Sequence, residues 1–247
     1  MFADDGLRID VQSGVRILTL DRPDAKNAMH APLRAALVMA VQEADRDEAV
    51  RAIVITGTDP VFSAGVDFKQ IGDGPVINPA AALRAARTPV ICAVNGACVS
   101  GALELALACS FIVASERARF ADTHALLGVV PTWGLTALLP RAVGTRLARE
   151  MSVTGRFVGA DEALRAGLVN AVVPHEDLLG HVLELANKVP ASGAVAEMLE
   201  LYARSDDLGI EAALAAEVAH SAGRTYDRAA FAAAGSAASA RQRADGS

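Results

Sequence analysis

At 247 residues with 52% hydrophobic side chains, the chain can bury one large core, or a core plus a small appended unit. Its net charge of −6 argues against a nucleic-acid-binding surface, so an anionic ligand must be met by a local cluster of cations. Cys92, Cys98 and Cys109 are odd in number, share one apolar stretch and lack paired metal-ligand spacing; they read as reduced core thiols, with no metal site expected.

The chain opens on MFADDG, with acids where a secretory leader needs basic residues and an apolar run, so the expected compartment is the cytosol. LRIDV and VRILTL, separated by Gln12, Ser13 and Gly14, alternate apolar and polar positions and predict a β-hairpin. DRPDAKNAM follows as a loop. Over 31–47 the apolar residues Leu33, Leu37, Val38, Val41 and Ala44 recur at helical spacing, which predicts an amphipathic helix. AIVITG is a buried strand. In the loop after it, Ser63, Ala64 and Gly65 precede Val66 and Asp67; small residues there let backbone approach a ligand, and a structural turn would use the same residues.

A short helix over 79–86 leads into TPVICAVNGACVSGALELALACSFIVAS, in which Glu104 is the only charged side chain between Arg87 and Glu116. Pro89, the Asn95-Gly96 turn, Ser100 and Glu104 divide this run into short elements, so no membrane span is expected. PVICAV reads as a buried strand, NG as a turn and ALELALAC as a buried helix. Gly101 and Glu104 then share the first helical turn, where backbone N–H groups have no helical partner. An N–H donor for a developing negative oxygen would stand beside a general acid or base. The alternative is a glutamate that merely complements the helix dipole.

Beyond it, FIVAS is a strand, 120–127 a polar-then-apolar segment, and GVVPTWGLTALLPRAVG a loop entering a helix. Helices are predicted over 145–153 and 161–166, with Gly155 and Gly167 as their stops, and LVNAVV is a strand. The pattern after His175 is helical almost throughout, and the small, polar ending GSAASARQRADGS is expected to be disordered. Strands alternating with helices, then a helical last quarter, predict an α/β core with an appended helical unit.

DRPDAKNAM, FSAGVDFK, PVICAVNGACVSGALELALACS, FADTHALLGVVPTWGLTALLPRAVG and TGRFVGADEALRAGLVNAVVP resemble, in order and spacing over about 7–174, the crotonase superfamily of enoyl-CoA hydratases and isomerases. The resemblance implies an α/β spiral of repeated ββα units over 1–190 and a C-terminal helical trimerisation region over 191–247, with trimers often paired into hexamers. It implies an acyl-CoA substrate and no further cofactor, the coenzyme A thioester itself being what is acted on. It assigns the polarising N–H groups to Val66 and Gly101 and a catalytic carboxylate to Glu104. His124 stands where the hydratases carry their second catalytic glutamate, and Asp122 is two residues away. Lys26 and Lys69 fall in loops that resemble the family's coenzyme A contacts, with Ala64 and Asp67 alongside; Arg22, Arg84 and Arg87 are further cations nearby, and Trp133 and Leu127 are candidate pocket walls. The implied activity is hydration of a trans-2-enoyl-CoA in acyl-CoA breakdown. Other acyl-CoA chemistry (hydrolysis, decarboxylation, isomerisation) or acyl-CoA binding without catalysis are the alternatives that His124 leaves open.

Overall fold

The structure, a computed structural model, describes residues 5–67, 69, 77–205, 208–222, 232, 235 and 236. The chain divides into two compact units, 1–200 and 201–247.

The hairpin forms as the alternation predicts. β1 (Leu7–Gln12) pairs antiparallel with β2 (Val15–Leu20), Leu7 opposite Leu20. Every later strand of that sheet adds in parallel: β3 (Ala52–Gly57), β4 (Val90–Val94), β6 (Phe111–Ser115) and β9 (Ala171–Val173), in the order β1-β2-β3-β4-β6-β9. Parallel strands need crossover connections, which place helices on the faces of the sheet, so the central strands are apolar on both sides. β4 illustrates this. Val90, Cys92 and Val94 join the larger core cluster, whereas Ile91 and Ala93 point through the other face into a second cluster.

The larger cluster is closed by α1 (Ala31–Arg46), α2 (Pro79–Ala85) and α3 (Gly101–Leu107). α1 buries Leu33, Leu37, Ala40, Val41 and Ala44, a stripe at helical spacing. α7 (Leu178–Lys188) covers the other face with Leu178, Val182 and Ala186, spaced one turn apart. Each fully buried Leu, Ile or Val on these faces contributes about 1.5–3 kcal/mol relative to exposure. Burial raises the Cys92 and Cys98 thiols well above their ordinary value, reinforced at both by Cys109; little reactive thiolate forms, in keeping with core thiols.

A second, three-stranded sheet is built from β5 (Ala97–Val99), β7 (Arg119–Ala121) and β8 (Val158–Gly159), in the order β5-β7-β8. These two- and three-residue strands carry no periodicity that a sequence window can register. The remaining helices of the first unit are α4 (Leu135–Val143), α5 (Thr145–Thr154) and α6 (Ala160–Ala166). Gly155 and Gly167 end α5 and α6 in the left-handed conformation. α8 (Gly193–Ser205) follows, and α9 (Ile210–Ser221) lies in the second unit. Among the described residues no helix is long and apolar enough to cross a membrane. The ending expected to be disordered lies, beyond Ser236, outside the described residues.

Candidate active site

Two loops are stitched together before either reaches the site. Lys26 and Asn27 both adopt left-handed backbone, at φ 52° and 53°. The buried Asn27 side chain accepts from Arg22 N at 3.0 Å and donates to Thr58 O at 2.7 Å and Val61 O at 2.8 Å. Ser63 Oγ donates to Asn27 O at 2.8 Å and accepts from Gly65 N at 3.1 Å. Ala64 N donates to Lys26 O at 3.0 Å, Met29 N to Gly65 O at 2.7 Å, and Asp67 N to Met29 O at 3.2 Å.

This last pair forms a parallel bridge between Met29 and Val66. In such a bridge the residue between the two bonded neighbours turns its own N–H and C=O away from its partner. The Val66 amide therefore faces the β5–α3 junction. Close approach there demands a glycine: Gly65 is at φ +95°, and a Cβ on it would stand 2.7 Å from Val99 O and 3.2 Å from Gly101 N. On the other side, a Cβ on Gly101 would stand 3.3 Å from Val66 N, 3.1 Å from Val66 Cγ2 and 3.5 Å from Trp133 Cζ3. The two amides thus border one small space beside the buried Trp133. Among the described residues, neither donates to another backbone group.

Ser100, which precedes Gly101, is held at φ 50° and ψ −110°, a conformation that L residues rarely adopt and that costs of order 1–3 kcal/mol. Hydrogen bonds fix it there. Its N–H donates to Ala121 O at 2.9 Å, and its Oγ lies 2.7 Å from Thr123 Oγ1 and accepts from Thr123 N at 2.9 Å.

Glu104, one turn into α3, is 2% exposed. Its Oε1 accepts from Trp133 N at 2.6 Å and Leu135 N at 3.3 Å, two amides at the start of α4 that lack helical partners. With Oε1 so engaged, Oε2 faces His124, whose Nε2 lies 3.6 Å away. The other ring nitrogen, Nδ1, is 2.6 Å from Asp122 Oδ1, which also accepts from His124 N at 3.1 Å. Desolvation pushes the buried Asp122 carboxyl up, but hydrogen bonds from His124 and Ser152, together with the His124 charge, outweigh it and hold Asp122 below the ordinary aspartate value. Glu104 and His124 are therefore brought together with Asp122 behind the ring, and Trp133 links them to the two amides: its backbone N–H is held by Glu104 and its ring borders Gly101.

Lys26 and Lys69 are both exposed. Asp67 pairs with Arg22 at 3.2 Å and accepts from Lys69 N at 3.2 Å. Desolvation would raise the Asp67 carboxyl, yet the bonds from Arg22 and Lys69 keep it below the usual aspartate range. Arg84 is engaged within the fold, donating to Trp133 O at 2.8 Å, and Leu127 lies partly exposed on a 3₁₀ turn over 125–127. Sequence reasoning did not find the pairing of Asp122 with His124, or the Ser100–Thr123 contact. An acid two residues before a histidine was the available signal, but no local rule says which way each side chain turns. Among the described residues no group of His, Cys, Asp and Glu side chains is arranged to hold a metal ion.

Residues 10–221 match the family model described as enoyl-CoA hydratase/isomerase. A probable enoyl-CoA hydratase of Rhizobium meliloti is 38% identical over 201 residues, covering 78% of each chain. The 2,3-dehydroadipyl-CoA hydratase of Escherichia coli is 35% identical over 221 residues, covering 85% of this chain and 87% of that one. Among solved structures, enoyl-CoA hydratase from Mycobacterium tuberculosis superposes with a TM-score of 0.77 at 45% identity, covering 81% of this chain and 87% of its own.

Proposed function

This chain belongs to the enoyl-CoA hydratase/isomerase family of the crotonase superfamily, and we infer that it is a hydro-lyase adding water across the 2,3 double bond of a trans-2-enoyl-CoA. What supports the mechanism is the pairing of Glu104 with His124, next to Trp133, whose ring borders the Val66 and Gly101 amides. As water adds to Cβ, the double-bond electrons move through Cα onto the thioester oxygen. Two N–H donors aimed at that oxygen stabilise the charge, each contributing about 3 kcal/mol in comparable sites. His124 Nε2 takes up the proton that the water loses, while Glu104 Oε2 holds the water's other hydrogen. The enolate then collapses as Cα receives a proton, and one water has been added in all.

Lys26 and Lys69, with Ala64 and Asp67 beside them, are the proposed contacts for the coenzyme A portion; the exposure of both lysines supports this. The reaction as written asks for no cofactor besides the thioester. We assign 1–190 to the catalytic spiral and 191–247 to a C-terminal helical region that joins three copies, singly or as paired trimers. Exposed apolar side chains at Leu126, Val130, Val153 and Phe157 support such an assembly. A cytosolic location in acyl-CoA breakdown is supported by three free thiols.

The test is incubation of purified protein with short- and medium-chain trans-2-enoyl-CoA thioesters, followed by product analysis. Hydroxyacyl-CoA as the product is expected. Binding of acyl-CoA with no hydration of any member of the panel would overturn the hydratase reading, and release of free coenzyme A would identify a hydrolase instead.

A further inference from the structure

The pair Glu104 and His124 is unlike two carboxyl groups that share a proton, and the difference lies in Asp122. Its Oδ1 accepts from the His124 backbone N–H at 3.1 Å and lies 2.6 Å from Nδ1 of the same residue. An ionised carboxylate has no proton to give, so at that distance Nδ1 must be the donor. A neutral His124 then carries its proton on Nδ1 and presents a bare lone pair at Nε2.

That lone pair faces Glu104 Oε2 at 3.6 Å, too far for a direct hydrogen bond. When Glu104 is ionised, both atoms are acceptors. A molecule that joins them must donate twice, and water does: one hydrogen to Oε2, one to Nε2, leaving an oxygen lone pair directed elsewhere. Were the His124 proton on Nε2 instead, the ring would donate to the water's oxygen, and only Oε2 would be left to hold one of its hydrogens.

We propose that Asp122 is a positioning residue that locks His124 in the Nδ1–H tautomer, so that Glu104 and His124 together hold the attacking water by both of its hydrogens. The proposal rests on the hydratase reading. It adds that His124, once it has taken the water's proton at Nε2, is an imidazolium held between two carboxylates, and so a ready source of the proton that Cα receives. The charged groups facing the ring are Glu104 from α3 and Asp122 from the end of β7. α5 supplies the uncharged Ser152 hydroxyl, on Asp122 itself.

Two measurements test this. Nitrogen-15 NMR of the histidine rings in the full-length protein, without substrate, reads the tautomer whether or not the enzyme turns over. Protonated Nδ1 and bare Nε2 are expected for neutral His124 in the wild type; protonated Nε2 would overturn the proposal. Second, Asp122→Asn keeps the side-chain shape but removes the charge. kcat is expected to fall by about 10²-fold or more with KM little changed, and the acidic limb of the kcat/KM profile to move to lower pH by about one unit. In a His124→Gln background the same substitution should cost far less, because the residue acts through the ring. Unchanged limbs with equal, additive losses in both backgrounds would mean that Asp122 is only a piece of scaffold. If the wild type hydrates nothing yet the Nδ1–H tautomer is found, the hydratase reading fails and the assignment of Asp122 stands as the tautomer lock.

Discussion

Gly101→Ala separates the two-donor site from the fold that carries it. An oxygen accepting from Val66 N would sit about 2.9 Å from that nitrogen, and the new methyl would stand 3.3 Å from it. The methyl therefore competes for the place where the thioester oxygen gains its charge. Losing one such donor costs about 3 kcal/mol, or roughly 10²-fold in kcat. The fold loses much less. Position 101 opens α3 without positive φ, alanine is favoured over glycine in a helix by up to about 1 kcal/mol, and the tightest contact, 3.1 Å to Val66 Cγ2, is to a side chain. The net change in stability should stay within about 1 kcal/mol. Hydration is followed through the ultraviolet absorbance of the conjugated enoyl thioester, and folding by urea denaturation. Val66→Ala in the same chain removes Cγ2, so the double variant tells a steric clash from loss of the oxygen's place. Wild-type kcat in Gly101→Ala, or full recovery in the double variant, would refute the claim that the two amides share one oxygen.

Glu104→Gln should retain the fold, because the amide oxygen can still accept from Trp133 N and Leu135 N, while kcat drops about 10²- to 10⁴-fold; an unchanged kcat would remove Glu104 from the chemistry. Arg34 is 8% exposed and, among the described residues, its Nε has no hydrogen-bond partner, so Arg34→Met should raise stability by about 1 kcal/mol in urea denaturation, and a loss would reveal a compensating anion. Burial first, then the Arg22 charge, pushes the His30 imidazole below its usual 6.5. A lowered histidine leaves the unfolded chain to take the proton first, so this site contributes nothing above about pH 6.5 and costs stability as pH falls below it. His30→Asn should accordingly lessen the loss of urea stability between about pH 7 and 5.5, and an identical slope in both proteins would count against it. Asn27→Ala should lower stability by about 1–3 kcal/mol, since it strips a donor from two partly buried carbonyls; a change below about 0.5 kcal/mol would mean that water replaces the amide.

The main sheet was legible because its strands are long enough to alternate or to run apolar without a break, as in β2 and β4, and because α1 repeats its apolar face over four turns. Glu104 was legible as a lone charge in an apolar run. What could not be read is what its carboxylate touches: Trp133 N and Leu135 N are about thirty residues further along, and no local rule relates them. The same holds for Asp122, two residues from the position that the hydratases fill with a glutamate. Its side chain is spent on the neighbouring imidazole and on the His124 backbone N–H.

The Ser100 hydroxyl, bonded to Thr123, has a consequence for how such a protein can change. This hydroxyl, together with the bond from Ser100 N to Ala121 O, couples the residue before Gly101 to the segment that carries Asp122 and His124. Replacing His124 to seek a new reaction therefore keeps its grip on the thioester only while Thr123 stays in register. Inherited changes at 122–124 and at 100–101 should consequently be accepted together more readily than apart.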